Sequence, residues 1–327
     1  MTTAGLIDLH AHSTASDGLC SPTEVVRLAT AAGLTVVALT DHDTTSGLAE
    51  AAGILPTGLT LLPGAEISCG IRVEHGRWVS LHLLAYLFDA TEPVFAAVRA
   101  RLREDRVTRA RRMVEKLAAD GHPVRWEQVA AQADGVIGRP HVAEALVDAG
   151  LVSSLQAAFT PAWIGAGGRY WVGKDEPDAL EAIRLVRDAG GVSVLAHPYA
   201  STRGPTIGPD VIATMARAGL RGLEVDHPDH PQQARARLRR LATDLGLIVT
   251  GASDFHGPSK PQRLGAETTS GHAYEALIAE AYGAQPLTGP AGPLRHQPPR
   301  AAAGLPAPAW HPQAPWSPQT PWSPQTP

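Results

Sequence analysis

Histidines and carboxylates recur in this chain as short, closely spaced sets. His10 and His12 stand two residues apart, with Asp17 just beyond. Asp41, His42 and Asp43 are consecutive. Glu66, His82 and His197 come singly, and Asp254 and His256 repeat the two-residue spacing. Residues two apart on an extended chain point to the same side, so each pair offers two ligand atoms to one place. Imidazoles and carboxylates gathered together are costly to bury unless a cation compensates them. Divalent metal ions are the natural solution. The set holds no thiolate, which suits Zn²⁺, Mn²⁺ or Fe²⁺. The two cysteines, Cys20 and Cys69, form no CxxC pair, which argues against a cysteine-type zinc site and a disulfide framework.

Such residues do chemistry only if a scaffold brings them together. Short apolar runs predict strands over Leu6–Leu9, Thr35–Leu39, Thr60–Leu62, Val79–Leu84, Val192–Leu195, Gly222–Val225 and Leu247–Val249. Helical spacing predicts helices over Pro22–Ala32, Pro177–Ala189, Asp210–Ala218 and Gln232–Leu245. Ser21, Pro22 and Glu24 make a strong helix start, and Gly33 a stop. Alternating strands and helices predict an α/β fold with a parallel sheet, closed as a barrel related to the TIM barrel. Six of the seven predicted strands carry a His, Asp or Glu at or just past their C-terminal ends, the face where such barrels build active sites. Taken alone, His82 reads as a hydrogen-bonded structural histidine, and Asp43 as a turn residue or a support for the ligands. The constellation as a whole reads as a metal cluster.

The alternation breaks between residues 92 and 169. Helical pattern dominates there, over Glu92–Ala119, Arg125–Ala131 and His141–Ala149, and predicts a helical insertion. From Gly289 onward the chain is rich in Pro, Ala and Gln and ends in a repeated WSPQTP, which predicts a disordered tail. The chain of 327 residues has a net charge of -4, so it is no polycation, and any grip on nucleic acid must be local. The start has no signal-peptide pattern, and no apolar run approaches the ~20 residues of a membrane span. A cytoplasmic protein without an obligate protein partner is expected.

The motifs Asp8-Leu9-His10-Ala11-His12-Ser13, Leu39-Thr40-Asp41-His42-Asp43-Thr44, Gly64-Ala65-Glu66, Ala196-His197-Pro198 and Ser253-Asp254-Phe255-His256-Gly257 resemble, in order, those of the PHP (polymerase and histidinol phosphatase) family. The resemblance covers roughly residues 6 to 264. It implies a distorted (β/α)7 barrel with two or three metal ions. One metal would take His10, His12, Glu66 and Asp254; a second would share Glu66 and take His82 and His197; a third would take Asp17, His42 and His256. It implies phosphoester hydrolysis by a hydroxide shared between the first two metals, with Asp43 or His256 protonating the leaving group.

The insertion bears on substrate. Seven arginines lie between Arg99 and Arg112. Most read as a solvated face, but Arg99, Arg103 and Arg106 share the helical face of Met113 and Leu117 that should meet the barrel. Arginine is the preferred fork for phosphate. The segment Gly138-Arg139-Pro140-His141 is similar to a PHP branch of nucleoside 3′,5′-bisphosphate phosphatases and 5′→3′ exonucleases on short single strands. That similarity implies that Arg139 and His141 hold a substrate phosphate. The branch carries a lysine near residues 163–172; here the basic residue is Arg169. A histidinol-phosphate phosphatase is the second reading, disfavoured because its substrate has one phosphate and needs no arginine-bearing insertion. A polymerase-associated metal-binding module and a non-catalytic metal scaffold are the readings from other classes.

Overall fold

A computed structural model describes residues 5–131, 137–201, 204–258 and 262–289. The proline-rich tail beyond residue 289 lies outside them. Strands β1 (Leu6–Asp8), β2 (Leu34–Leu39), β3 (Thr60–Arg72), β4 (Trp78–Tyr86), β5 (Val192–Leu195), β6 (Gly222–Asp226) and β7 (Ile248–Gly251) lie side by side in chain order. A parallel bridge between Ala11 and Phe255, just past β1 and β7, brings the first and last strands together and closes the barrel. A short β8 (Leu287–Thr288) pairs with β3.

Helices alternate with the strands. They are α1 (Pro22–Ala31) and α2 (Leu48–Ala52) early on, and α7 (Ala179–Asp188), α8 (Pro209–Ala218), α9 (Gln232–Leu245) and α10 (Gly271–Glu280) in the second half. Between β4 and α7 stand α3 (Pro93–Ala119), α4 (Trp126–Ala131), α5 (Arg139–Asp148) and α6 (Leu155–Ala158). α1 starts as its sequence dictates: the Ser21 side chain and the Glu24 backbone and side chain form a reciprocal cap. Glu92 caps α3 by accepting from the N–H groups of Val94 and Phe95.

One expectation fails in an instructive way. β4 runs antiparallel to both β3 and β5, so the sheet is not wholly parallel. The reason is the connection: residues 73–77 are too few for a parallel crossover and can only form a hairpin. β3 is also far longer than its apolar run suggested. Glu66 therefore lies inside the strand rather than in a loop after it.

Apolar residues from β1 to β5, including Ile7, Val36, Leu62, Leu84 and Val194, form one buried cluster with Leu277 of α10. A second core packs the strands against α7, α8 and α9. The inserted helices have a core of their own, around Met113, Leu117, Val142 and Leu146. These apolar contacts make the barrel rim a rigid frame for polar residues that would otherwise repel or disperse.

Candidate metal centre

The residues singled out by type and spacing converge. Glu66 Oε2 lies 3.3 Å from His10 Nε2, 3.2 Å from His12 Nε2 and 3.2 Å from His42 Nδ1. Asp254 Oδ1 lies 3.2 Å from the same nitrogens of His10 and His12. The other Glu66 oxygen faces His82 Nδ1 at 2.8 Å and His197 Nε2 at 3.0 Å. Asp17 meets His12 at 3.6 Å, His42 at 3.7 Å and His256 at 3.5 Å. Ligand atoms gather in three overlapping groups: His10, His12, Glu66 and Asp254; His42, Glu66 and His82; His12, Asp17, His42 and His256. Set against the family-implied sets, His42 stands with Glu66 and His82, while His12 joins the Asp17 group. His197 enters through its contact with Glu66.

The local backbone aims these groups. Asp43, His197 and Asp254 have φ of 58°, 30° and 51°, a region that non-glycine residues rarely occupy. Strained residues persist where surrounding structure over-determines them. Asp8 accepts from the N–H groups of His10, Ser253 and Gly265, tying the end of β1 to the end of β7. Asp41 accepts from Ser13 N–H, Ser13 Oγ and Ser16 Oγ, fixing the loop that carries Asp17. After His256, Gly257 turns the chain at φ 103°, where a Cβ would also meet Leu19 at 2.9 Å.

Tautomers follow from hydrogen bonds. His10 Nδ1 donates to Glu224 Oε1 at 2.9 Å, and His256 Nδ1 donates to the Asp254 carbonyl at 2.9 Å. In each ring the lone pair is then left on Nε2, facing the cluster. Burial opposes charge on His10, but Asp254, Glu224 and Glu66 outweigh it and raise its pKa well above the ordinary range. Burial likewise opposes ionisation of Glu66, yet His82, His42 and His10 hold its carboxyl well below the usual range. His42 Nδ1 makes no hydrogen bond although it is buried 3.2 Å from Glu66. Two imidazole nitrogens, His10 Nε2 and His12 Nε2, face each other at 3.1 Å. Lone pairs converging this way on a buried point fit a cation's ligand shell better than a hydrogen-bond network.

Sequence reasoning gave no role to Glu224 and His227, on and after β6, the one strand to which it assigned no ligand. Glu224 is fully buried; beyond its bond to His10, its Oε2 accepts from His197 N–H at 2.7 Å. Burial would raise its pKa, but His10 and His227 bring it down to about 2. His227 Nδ1 accepts from Asp229 N–H, which puts its proton on Nε2, 3.5 Å from Asp254 Oδ2. The signal was a lone glutamate among the apolar residues of a buried strand, which demands a partner.

The basic residues divide. Arg106 reaches the rim: its Nε donates to Asp43 Oδ2 at 2.7 Å, and its Nη2 donates to Ser68 Oγ at 2.8 Å. Arg103 donates to the Asp43 carbonyl and Arg99 to the Ala90 carbonyl, so this face of α3 does meet the barrel. Asp43 also accepts from Ser68 N–H and Oγ, so its carboxylate is an anchor rather than a group open to substrate. His141 is buried at the start of α5, where its Nδ1 accepts from Gly138 N–H. Arg139 lies half-buried, its guanidinium over Phe159. Arg169 is not brought to this group. It pairs with Asp120 at 2.8 Å, and at about 1.5 Å rise per residue α3 carries Asp120 roughly 20 Å beyond Arg106. Lys174, which sequence reasoning did not single out, stands near Arg106, Arg109 and Arg139.

The PHP domain, as a sequence family, matches residues 8–120. A 3′,5′-nucleoside bisphosphate phosphatase of Chromobacterium violaceum is 35% identical over 79% of this chain and 89% of its own length. A 5′-3′ exoribonuclease of Haemophilus influenzae is 36% identical over 77% of this chain and 90% of its own. The crystal structure of a candidate metal-dependent phosphoesterase from Bifidobacterium adolescentis superposes with a TM-score of 0.77 at 37% identity, covering 84% of this chain and 96% of that one. Convergent His, Asp and Glu side chains on a distorted barrel and full-length relatives at this identity agree: the chain belongs to the PHP domain family.

Proposed function

We propose that the chain is a metal-dependent phosphoesterase that removes a phosphate from nucleoside 3′,5′-bisphosphates or acts at the 5′ ends of short oligonucleotides. One observation carries the reading: three overlapping ligand groups sharing Glu66, His12 and His42 sit against Arg106 of the insertion. The names of the relatives agree with that substrate class. The nine ligand positions His10, His12, Asp17, His42, Glu66, His82, His197, Asp254 and His256 would hold two or three divalent cations, among which Mn²⁺, Zn²⁺ and Fe²⁺ suit the donor set. Such ions supply Lewis acidity towards the phosphoryl oxygens and the attacking water.

The chain's own residues do the rest. Arg139 and His141 hold a substrate phosphate at the start of α5, where the helix dipole favours an anion. Arg106 adds positive charge beside the cluster. Asp43 keeps Arg106 in place, and His256, with its Nδ1–H on the Asp254 carbonyl and its Nε2 lone pair turned to the cluster, serves as a ligand rather than as the proton donor. Glu224 orients His10 and the His197 backbone. Glu224→Gln is expected to weaken affinity for Mn²⁺ by about 10- to 100-fold, as loss of a ligand's supporting carboxylate does; a titration that matches the unsubstituted protein would remove Glu224 from this role. Among the described residues no helix is long and apolar enough to cross a membrane. Cys20 and Cys69 are buried free thiols, which fits a reducing, cytoplasmic setting.

Phosphate release with Mn²⁺ from adenosine 3′,5′-bisphosphate, histidinol phosphate and a short 5′-phosphorylated RNA tests the assignment. The bisphosphate or the RNA should be turned over. Release from histidinol phosphate alone would replace it with the single-phosphate reading.

A further inference from the structure

The β3–β4 hairpin carries the metal centre and then runs on past it. Its side chains alternate between two faces. Ile67, Cys69 and Ile71 of β3 and Val79, Leu81 and Leu83 of β4 are buried in the core against the helices. The other face carries Glu66, Ser68, Gly70 and Arg72, which stand opposite Leu84, His82, Ser80 and Trp78 in turn. Glu66 and His82 of the cluster therefore lie at one end of this face, and the Arg72–Trp78 pair lies at the other. Trp78 comes four positions before His82, a separation of about 13 Å along a strand. Arg106 reaches the near end of the same face, at Ser68.

The far end is fixed although it is open to solvent. Trp78 is 37% exposed. Its Nε1 donates to Glu176 Oε1 at 2.9 Å, and Ser80 Oγ donates to the same oxygen. Lys174 stands 3.4 Å from the other oxygen of Glu176 and counters its charge. The Arg72 guanidinium lies 5.6 Å from the centroid of the indole, and its Nη1 donates to the Gly76 carbonyl at 3.3 Å. A Cβ on Gly70 would collide with the indole, so glycine at that position lets the ring lean along the strand towards the metal end. At the tip Arg72 and Arg77 outnumber Glu74, and all three are exposed.

A fixed, exposed indole beside a guanidinium is a surface on which the bases of a single strand stack whatever their sequence, while arginine adds cation–π attraction and charge for the phosphates. A lone nucleotide at the metal centre stops short of it. About 13 Å is four steps of a stacked strand at ~3.4 Å each, and fewer of an extended one. We propose that Trp78 and Arg72 form a base-stacking platform for the downstream part of a single-stranded oligonucleotide whose 5′ end lies at the metal centre, so that strands long enough to reach it are preferred over mononucleotides. This rests on the phosphoesterase reading above and selects the oligonucleotide within it.

Dependence on strand length decides it. kcat/KM is compared for a 5′-phosphorylated RNA pentanucleotide, the matching dinucleotide and adenosine 3′,5′-bisphosphate. Trp78→Ala should lower the pentanucleotide-to-bisphosphate ratio by about tenfold, mainly through KM, and Trp78→Phe should restore most of it. The dinucleotide-to-bisphosphate ratio should hold, because that strand ends before the platform. Arg72→Ala, at an exposed position, should move the pentanucleotide ratio the same way by a smaller factor. Equal losses on pentanucleotide and dinucleotide, or a pentanucleotide ratio unmoved by either alanine substitution, overturn the proposal. Fluorescence anisotropy of the 3′-labelled pentanucleotide, in a Glu66→Gln background that suppresses turnover, reads binding by itself, and adding Trp78→Ala should weaken it about tenfold. If the protein releases phosphate from no nucleotide, the phosphoesterase reading fails while this binding difference still decides the platform. A pentanucleotide bound equally with and without Trp78, or not bound at all, overturns it.

Discussion

Glu66→Gln is expected to cut phosphate release from adenosine 3′,5′-bisphosphate by about three orders of magnitude and to lower bound metal at the same time. Glu66 is the carboxylate that two of the three ligand groups share. One oxygen meets His10, His12 and His42, and the other meets His82 and His197. Glutamine keeps the shape but loses the charge and turns one oxygen into a donor, which repels a cation. Several kcal/mol of charge stabilisation are lost with the metal, and each ~1.4 kcal/mol is a factor of ten in rate. Steady-state phosphate release and elemental analysis of the purified variant check this. Near-normal rates with normal metal content would show that Glu66 is not the hub of the site.

Asp43→Asn should destabilise the fold by about 3 kcal/mol, the lower end of what removing one partner from a buried ion pair costs. The Asp43 side chain is fully buried and that of Arg106 is 14% exposed, so water reaches the orphaned guanidinium and softens the penalty. Asparagine tolerates the left-handed backbone at this position, so the substitution isolates the charge from the strain. Urea unfolding reads the change directly. The experiment also separates two roles for Asp43. An anchor loses stability and, through a displaced Arg106, raises KM. A proton donor would lose kcat with stability intact.

Much of the site was legible because its residues sit where strands end. His10, His12, His42, Asp254 and His256 occupy junctions whose spacing alone aims them at one face. The barrel followed from alternation, and α9 from its periodicity. What was hidden was long-range. Nothing near Glu224 says that it meets His10, 214 positions away. The strand reading of β3 stopped at its apolar run, because Pro63, Gly64 and the polar Glu66 and Ser68 interrupt it. Their cross-strand partners on β4 keep the strand going to Arg72. The antiparallel β4 was hidden with it: a strand ending at Leu62 leaves room for a crossover before Val79, whereas the full β3 leaves only residues 73–77 for a hairpin. Arg169 was hidden for a similar reason: its position suggested a place at the substrate, and its counter-ion Asp120 holds it elsewhere.

The central claim is that these scattered side chains hold cations on which phosphoester hydrolysis depends. Its most direct test is to measure bound metal and phosphate release from adenosine 3′,5′-bisphosphate on one preparation, before and after exhaustive chelation. Metal and activity should vanish together while the fold persists, and both should return on adding Mn²⁺. Full hydrolysis by folded, metal-stripped protein would contradict the account.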